Sequence, residues 1–300
     1  MKVLVSGGSG FVGSHLIKSL SRNHEVHNLD ISPPKFERDK FLQVDIRDRK
    51  ALSEAFRTQL KDIDAIIHLA ALSRERESEV EQTKYFETNI IGTANVLREA
   101  RENSRCRKFV FASTYLVYGD SSHSKIDESA PLHPKSIYAI TKATGEMICN
   151  SFSLTKGFST VCFRKGLIFG EGDESKRLVE LFLSRAREGL DLQVFGNKVL
   201  DFVYVDDVVK AYEKALEHSI NGTFNIGSGS GTPVMDLALL AKQSFHSPSR
   251  IIEQPLTNTD VDFYVSDNTR MTKELGVHPT LNVQDFIQNR AKVVAAEVPS

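Results

Sequence analysis

Tyr138 and Lys142 are the first pair of residues in this sequence whose types and spacing could do acid–base chemistry. Residues four apart share one face of a helix, so both side chains are predicted on one side of a helix over 136–154. A tyrosine ionises at about pH 10, and lowering its pKa by about three units requires about 4 kcal/mol of preferential phenolate stabilisation. One positive charge at about 4 Å supplies about 4 kcal/mol at an effective dielectric of about 20. On spacing alone, the alternative is a surface pair on an amphipathic helix.

Two hydroxyl residues, Ser113 and Thr114, come directly after the predicted buried strand 108–112. Ligands of open α/β sheets bind outside the carboxyl ends of the parallel strands. These two residues are therefore candidates for contact with a ligand, and they precede the Tyr–Lys pair along the chain.

Three glycines, Gly7, Gly10 and Gly13, follow the apolar strand 3–5 and open a predicted helix over 11–21. The first permits a sharp turn, the second lets a pyrophosphate approach the main chain, and the third lets the helix pack on the sheet. The helix N-terminus, which begins with Phe11 and Val12, offers unpaired N–H groups to phosphates. This arrangement predicts a dinucleotide site.

Asp30 strengthens that prediction, because it closes the next strand, 26–29, where an acid can hold a ribose 2′-hydroxyl. Its charge would repel a 2′-phosphate, and the following residues 31–33 contain no arginine to bind one. We therefore expect NAD rather than NADP. With NAD bound, the ammonium of Lys142 and an oxidised nicotinamide ring together can lower the pKa of Tyr138.

Strand and helix signals alternate through the first half of the chain, and the rhythm changes after Arg164. The alternation predicts an α/β fold, a doubly wound parallel sheet of the Rossmann type with a smaller mixed α/β C-terminal lobe. We place an NAD-binding domain at 1–165, expect 193–217 to return to it, and assign 166–192 and 218–300 to a substrate-binding lobe.

The composition excludes several classes of partner. The chain has 300 residues, 40% of them hydrophobic and 26% charged, with a net charge of −1, so no nucleic-acid partner is expected. No apolar run is long enough to span a bilayer, and a first strand at Lys2 leaves no room for a signal peptide. The three cysteines lack metal or redox spacing, so we expect no metal site and a cytoplasmic location.

The motifs together resemble the extended short-chain dehydrogenases/reductases of the NAD-dependent epimerase/dehydratase family, which includes the UDP-glucose 4-epimerases. The resemblance runs through nearly the whole chain, and its order makes it specific. Besides the glycines and the Tyr–Lys pair, it rests on Asp45-Ile46, His68-Leu69-Ala70-Ala71, Asn89-Ile90-Ile91-Gly92-Thr93, Glu128, Pro131, Pro134, Glu146, residues 202–207, residues 224–227, Asp267, Leu275-Gly276 and Pro279.

The resemblance implies a role for each matched residue. Tyr138 would be the general acid/base, and Lys142 would hold the nicotinamide ribose and depress the pKa of Tyr138. Thr114 would share the hydrogen bond of the substrate hydroxyl. Ser113 would lie close to both cofactor and substrate. Asp45 and Ile46 would contact the adenine, Leu69, Ala70 and Ala71 would line the cofactor, and Asn89 would pin the backbone beside it. Many relatives pair the helices predicted here over 85–100 and 136–154, so we expect a homodimer.

Several positions depart from the family pattern. Dehydratases carry Asp-Glu directly after the catalytic threonine, whereas this chain has Tyr115 and Leu116, so dehydration is not expected. Leu167 replaces an asparagine that touches substrate phosphates, Leu200 replaces a phosphate-binding arginine, and 255–262 contains no arginine. Compensating cations would come from Lys165, Lys176, Arg177, Arg74 and Arg76. The alternative for the segment 73–81 is a solvated mixed-charge loop.

The leading hypothesis is an NAD-dependent epimerase of a sugar, preferably a nucleotide-sugar, that works through a transient keto intermediate. The alternative is a dehydrogenase or ketoreductase of a sugar or small polar alcohol that releases its reduced cofactor. A third possibility, a non-catalytic NAD-sensing regulator, is disfavoured because such relatives lose the tyrosine or the lysine and both are present here.

Overall fold

A seven-stranded sheet and two smaller sheets organise the chain in the computed structural model, which describes residues 1–34, 40–103, 105–120, 124–154, 158–174 and 177–297. The strands are β1 (Lys2–Ser6), β2 (Glu25–Asp30), β3 (Lys40–Gln43), β4 (Ala65–His68), β5 (Lys108–Thr114), β6 (Ser159–Lys165), β7 (Leu167–Phe169), β8 (Leu192–Phe195), β9 (Val199–Tyr204), β10 (Gly222–Ile226), β11 (Gly231–Pro233), β12 (Ile251–Gln254) and β13 (Phe263–Tyr264).

Helices cover both faces of the large sheet and fill the smaller lobe. They are α1 (Phe11–Leu20), α2 (Arg49–Thr58), α3 (Glu75–Val80), α4 (Gln82–Tyr85), α5 (Thr93–Glu102), α6 (Ile137–Ser153), α7 (Leu178–Arg187), α8 (Val205–Glu217), α9 (Val234–Ser244), α10 (Thr269–Glu274) and α11 (Val283–Glu297). A π-helical turn, Phe86–Gly92, joins α4 to α5, and a 3₁₀ turn, Tyr115–Tyr118, follows β5.

The large sheet is parallel throughout, with the strand order β10-β6-β5-β4-β1-β2-β3. The order reverses at β1, which pairs with β2 on one side and β4 on the other. Such a switch point opens a crevice outside the carboxyl ends of the strands, where ligands of doubly wound sheets bind. The predicted fold class is confirmed.

Both faces of the sheet are buried, as near-continuous apolar strands require. Along β1, Val3 and Val5 point into a core shared with α1 and α8, whereas Leu4 points into a core shared with α2 and α5. A third core lies in the smaller lobe, where Phe182 of α7 and Leu237 of α9 pack with Phe286 of α11.

The sheets divide the chain differently from the predicted boundaries. Within 193–217, only α8 returns to the large sheet, because β8 pairs with β12 and β9 with β7, β11 and β13. Within 218–300, β10 is the seventh strand of the large sheet, beside β6. A short apolar strand does not carry a signal for the sheet it joins, so these assignments needed the tertiary structure.

Candidate functional site

The glycine turn after β1 is built by close backbone approaches. Gly7 has φ +77°, and a Cβ there would lie 2.5 Å from the amide nitrogen of Ala70. A Cβ on Gly13 would lie 2.4 Å from the carbonyl oxygen of Gly7, so the helix packs directly on the turn. At exposed Gly10 the nearest atom to a Cβ is that same oxygen, at 3.4 Å. The main chain at Gly10, which precedes Phe11 and Val12 at the start of α1, is therefore open to close approach.

Asp30 closes β2 beside this turn. Its carboxylate accepts hydrogen bonds from the backbone N–H groups of Ser9 and Ser32, both at 3.0 Å. The amide of Asn28 donates to the Ser9 hydroxyl at 3.1 Å and fixes the same loop. The carboxylate is held at the carboxyl end of the sheet, as binding of a ribose hydroxyl requires.

Asp45 and Ile46 follow β3, the outermost strand on that side of the sheet. Arg47 donates to the Asp45 carboxylate at 2.6 Å and holds the pKa of that carboxyl below its usual range. Ile46 is buried against Gly92, whose Cβ would lie 2.6 Å from the Ile46 Cδ1, and its carbonyl accepts from Asn95. This segment is thereby fixed to the start of α5.

The segment after β4 is held by backbone contacts and by one amide. The N–H groups of Leu69 and Ala70 both donate to the Ser6 carbonyl at 2.9 Å. Asn89 contacts both the N–H and the carbonyl of Leu72 at 2.9 Å, and it donates to the Thr141 hydroxyl at 3.0 Å. Asn89 lies in the π-helical turn, an irregularity that often marks functional sites. It pins the loop that contains Ala71 to α6.

Lys142 lies on α6 with a side chain only 3% exposed. Its ammonium lies 4.9 Å from the centre of the Phe111 ring, and it has no hydrogen-bond or ion-pair partner among the residues that the structure describes. Burial lowers its pKa to about 8. A buried ammonium without an acceptor is costly, so it fits a ligand that brings hydroxyl oxygens.

Tyr138 lies one helical turn earlier on α6, half-buried. Burial raises its pKa to about 12, against the direction expected from Lys142. The largest opposing contribution is the positive charge of Arg177, and a hydrogen bond with Thr114 also lowers the pKa. The structure places Thr114 beside Tyr138 and Lys142 one turn along the same helix. Nothing in the sequence indicates that Arg177 is the cation that favours the phenolate.

A buried network behind the site had no sequence signal beyond its separate motifs. The hydroxyl of Ser113 donates to Glu146 at 2.5 Å, and Glu146 forms an ion pair with Arg164 at 2.7 Å. Arg164 also donates to the Tyr118 hydroxyl and the Glu128 carbonyl. These contacts fix the end of β5 to α6 and β6. Because its hydroxyl is engaged, contact of Ser113 with cofactor or substrate stays a prediction.

Two of the predicted compensating cations, Lys165 and Arg177, lie close enough for the charge of Arg177 to act on Lys165. Lys165 pairs in register with Thr114, and its pKa is lowered well below the usual range by burial and then by the charges of Lys142 and Arg177. Arg177 precedes α7, with its guanidinium 3.6 Å from Asp173 and 5.5 Å from the Phe11 ring. Lys176 lies outside the described residues.

The remaining candidates lie in other surroundings. Arg76 is on α3 and its guanidinium sits 4.0 Å over the Phe195 ring, while the backbone of Arg74 binds the Tyr85 hydroxyl. Leu167 pairs with β9, and Leu200 is buried in the lobe core. The segment 73–81, expected as a possible loop, contains α3.

The residues along the cleft fit a dinucleotide. The open backbone at Gly10 and the fixed carboxylate of Asp30 lie at the carboxyl ends of the neighbouring strands β1 and β2, as phosphate and ribose binding require. The ammonium of Lys142 on α6, which packs against Phe111 of β5, is available for a further ribose hydroxyl. In the described ranges, no group of three His, Cys, Asp or Glu residues could hold a metal ion. No described helix is long and apolar enough to cross a membrane.

Known proteins share this arrangement. Residues 3–227 match the NAD dependent epimerase/dehydratase family. The UDP-glucose 4-epimerase of Halalkalibacterium halodurans is 30% identical over 93% of this chain and 91% of its own. The dTDP-D-glucose 4,6-dehydratase of Homo sapiens is 32% identical over 79% of this chain and 72% of its own.

The crystal structure of the Thermus thermophilus UDP-glucose 4-epimerase in complex with NAD has a TM-score of 0.90, with 28% identity, covering 99% of this chain and 100% of that one. The expectation of NAD as the cofactor is confirmed. The chain therefore belongs to the NAD dependent epimerase/dehydratase family and is an enzyme of the extended short-chain dehydrogenase/reductase class.

Proposed function

We propose that the protein is a nucleotide-sugar epimerase that inverts a carbinol carbon through a transient keto intermediate. The observation that carries the proposal is that Thr114, the last residue of β5, lies beside Tyr138, while Lys142 follows one turn later on α6. Gly10, Asp30 and Lys142 would hold NAD, which would supply reversible hydride transfer to and from the sugar carbon, with return to the opposite face giving inversion. The names of its relatives support a sugar nucleotide as substrate.

Tyr138 takes the proton of the sugar hydroxyl as the carbinol is oxidised and gives it back when the ketone is reduced. Thr114, which lies beside Tyr138, also hydrogen-bonds the substrate hydroxyl and orients it toward Tyr138. Lys142 holds the nicotinamide ribose and adds positive charge near Tyr138. Since burial raises the pKa of Tyr138 to about 12, the charges of Arg177, Lys142 and the oxidised cofactor must together favour the phenolate.

Dehydration is disfavoured even though a dehydratase is among the relatives. Tyr115 and Leu116 follow Thr114, and burial raises the pKa of the Tyr115 phenol far above neutrality. Neither side chain can exchange protons for an elimination of water at neutral pH. We therefore keep epimerisation as the proposal and a dehydrogenase that releases NADH as the alternative.

The deciding experiment is incubation of the NAD-loaded protein with UDP-galactose, followed by chromatography of the products. We expect UDP-glucose without net NADH. Stoichiometric NADH would favour the dehydrogenase, and a 4-keto-6-deoxy product would reject the proposal in favour of dehydration.

We further propose that Lys165 and Arg177 bind the substrate diphosphate in place of the missing family arginines. The charge of Arg177 acts on Tyr138, the charges of Lys142 and Arg177 act on Lys165, and Arg177 is partly exposed. In calorimetric titration with UDP, Arg177→Ala should weaken binding by about 1.5–3 kcal/mol, as for a lost hydrogen bond to a charged group. Arg187→Ala, at the far end of α7, is the matched control and should leave binding unchanged. Absence of UDP binding at millimolar concentration would contradict a nucleotide-sugar substrate.

A homodimer through α5 and α6 is part of the proposal. These helices pack side by side. Ile140 and Met147 on α6 are exposed, Met147 by 65%, and so are Phe86 and Ile91 in the π-helical turn that leads into α5. Large apolar side chains at this density favour an interface over a solvated face. Light scattering at micromolar protein should give twice the chain mass, and a monomer would refute the dimer.

A cytoplasmic location is likewise proposed. Cys106, Cys149 and Cys162 are all free and buried, as suits a reducing compartment. Cell fractionation that recovers the protein with the cytoplasmic markers would support this location, and recovery with secreted proteins would oppose it.

A further inference from the structure

Helix α3 lies against the first turn of α6, where Tyr138 is located. The hydroxyl of Ser78 accepts a hydrogen bond from the backbone N–H of Tyr138 at 3.1 Å. The carboxylate of Glu79 accepts one from the N–H of Ile137 at 2.8 Å. Two orphan N–H groups of the α6 N-terminus are thus satisfied by α3, which fixes α3 beside the catalytic tyrosine.

Glu75, the first residue of α3, has an unsatisfied carboxyl oxygen at this place. Its Oε1 is buried and has no hydrogen-bond partner within the part of the chain that the structure describes. The Ser136 hydroxyl contacts the carboxyl, but burial still raises the pKa of Glu75. A buried acceptor left without a donor is destabilising, so the site favours a ligand that brings one.

Among the described residues, one cation whose charge acts on this carboxyl is Lys198, and it is already engaged. Lys198 approaches it from the turn between β8 and β9, but forms an ion pair with Asp260 at 2.5 Å. Glu79 approaches it from α3 itself. The phenols of Tyr115 and Tyr138 lie close enough for the charge of Glu75 to raise the pKa of both.

We propose that Glu75 is a specificity-determining residue that accepts a hydrogen bond from a hydroxyl group of the sugar being epimerised and excludes sugars that carry a carboxylate there. This inference rests on the proposed function, because it places the sugar between α3 and Tyr138. The diphosphate then lies at Lys165 and Arg177, and the sugar ring lies toward Glu75.

The chemistry of the carboxyl sets the direction of this preference. An ionised carboxylate only accepts hydrogen bonds, so a sugar hydroxyl satisfies it. A hexuronate would bring a second carboxylate to the same pocket, and two carboxylates sharing a site cannot both ionise without a strong rise in one pKa. Selection for neutral hexoses follows.

The test compares wild-type protein with Glu75→Gln, which keeps the side-chain shape and removes the charge. Each NAD-loaded protein is titrated with UDP-glucose, UDP-glucuronate, galactose and galacturonate. In the wild type, we expect the neutral sugar of each pair to bind more tightly. Glu75→Gln should weaken binding of the neutral sugar about 10-fold or more, the equivalent of one lost hydrogen bond to a charged group. The difference in affinity between the neutral sugar and the uronate should become smaller. Glu77→Gln on the same helix is the matched control, and it should change neither the affinity for the neutral sugar nor the difference in affinity from the uronate.

A second readout separates a contact with the substrate from a purely structural role. Because the charge of Glu75 raises the pKa of Tyr138, its removal should move the acidic limb of the kcat profile to lower pH. An unchanged melting temperature would show that the fold is retained.

Each outcome decides the inference. Equal affinities of wild type and Glu75→Gln for all four sugars would overturn it, as would tighter wild-type binding of the uronates. If UDP-glucose does not bind but galactose does and loses affinity in Glu75→Gln, the nucleotide part of the proposed function fails and the role of Glu75 stands. If none of the four binds, both proposals fall.

Discussion

The cofactor side and the substrate side of the cleft are built from different kinds of atoms. At Gly7 and Gly13 the decisive contacts are with backbone atoms that leave no space for a Cβ, whereas at Gly10 the lack of a side chain leaves the main chain open to a ligand. Around Tyr138 the decisive groups are side chains, including Glu75 and Arg177, that converge from α3, α6 and the segment before α7.

The difference teaches where variation can occur. A cofactor site made of backbone tolerates few residue types, so it is shared with relatives that act on different sugar nucleotides. On the substrate side, Leu167 is only partly buried against the lobe core, so a polar residue there costs less than one at Leu200, which is buried in that core. Specificity can therefore change while the hydride chemistry stays.

The largest expected effect is on turnover, and it comes from Tyr138, where the cofactor side and the substrate side of the cleft meet. Tyr138→Phe removes one hydroxyl and leaves the ring, so packing and NAD binding should persist while turnover falls by several orders of magnitude. Stopped turnover with unchanged NAD affinity, measured by calorimetry, is the expected result. A near wild-type rate would eliminate Tyr138 as the acid/base.

Thr114→Val belongs to the same experiment as a graded comparison. It removes one positioned hydrogen-bonding group, which typically contributes on the order of 10²-fold to the rate. The loss should therefore be smaller than that of Tyr138→Phe, and a larger loss would make Thr114 the more important proton carrier.

The next effect tests the backbone character of the cofactor side with a matched pair of glycines. Gly13→Ala forces a Cβ to within 2.4 Å of the Gly7 carbonyl, so it should lower the free energy of unfolding, and overpacking typically costs about 1–3 kcal/mol. Gly10→Ala meets only the Gly7 oxygen at 3.4 Å, so the stability without NAD should be nearly retained. NAD binding should nevertheless weaken on the order of tenfold, about 1.4 kcal/mol, because the methyl group occupies the phosphate approach.

Denaturant unfolding without NAD and calorimetry with NAD check this pair. If Gly10→Ala lost as much stability as Gly13→Ala, the fold of the turn, rather than the binding of NAD, would require glycine at position 10. Unchanged NAD affinity in Gly10→Ala would place the pyrophosphate elsewhere.

The same contrast explains what the sequence could predict. The glycine turn, Asp30 and the Tyr138–Lys142 pair are local patterns, each within one strand–turn–helix unit or one helix face, so the sequence could propose them as candidates. The Tyr–Lys spacing alone also fits a surface pair, and it gains weight only because it follows the glycine turn. The sheet membership of β10 depends on long-range pairing that a five-residue strand does not encode.

The side-chain partners on the substrate side were beyond the sequence for the same reason. Glu146 and Arg164 each occupy a family motif, but their ion pair joins α6 to β6. Glu75 stood in a mixed-charge segment, and only the packing of α3 on α6 shows that its carboxyl is buried beside Tyr138. Arg177 could be named as a cation, but not as the one that opposes the raised pKa of Tyr138.

The last comparison concerns Asp30, the side chain that we propose selects the cofactor. Its two carboxylate oxygens are held by Ser9 and Ser32, so the charge remains at the ribose position whether or not a ligand is bound. Asp30→Ala removes both the acceptor for the 2′-hydroxyl and the repulsion of a 2′-phosphate. NAD should bind more weakly, by about 1.5–3 kcal/mol, and the difference in affinity between NAD and NADP should become smaller. Asp30→Asn keeps an acceptor oxygen without the charge, so it separates the two contributions: NADP affinity should rise in both variants, whereas NAD affinity should fall further in Asp30→Ala. Wild-type protein that binds NADP as tightly as NAD would show that this carboxylate does not select the cofactor.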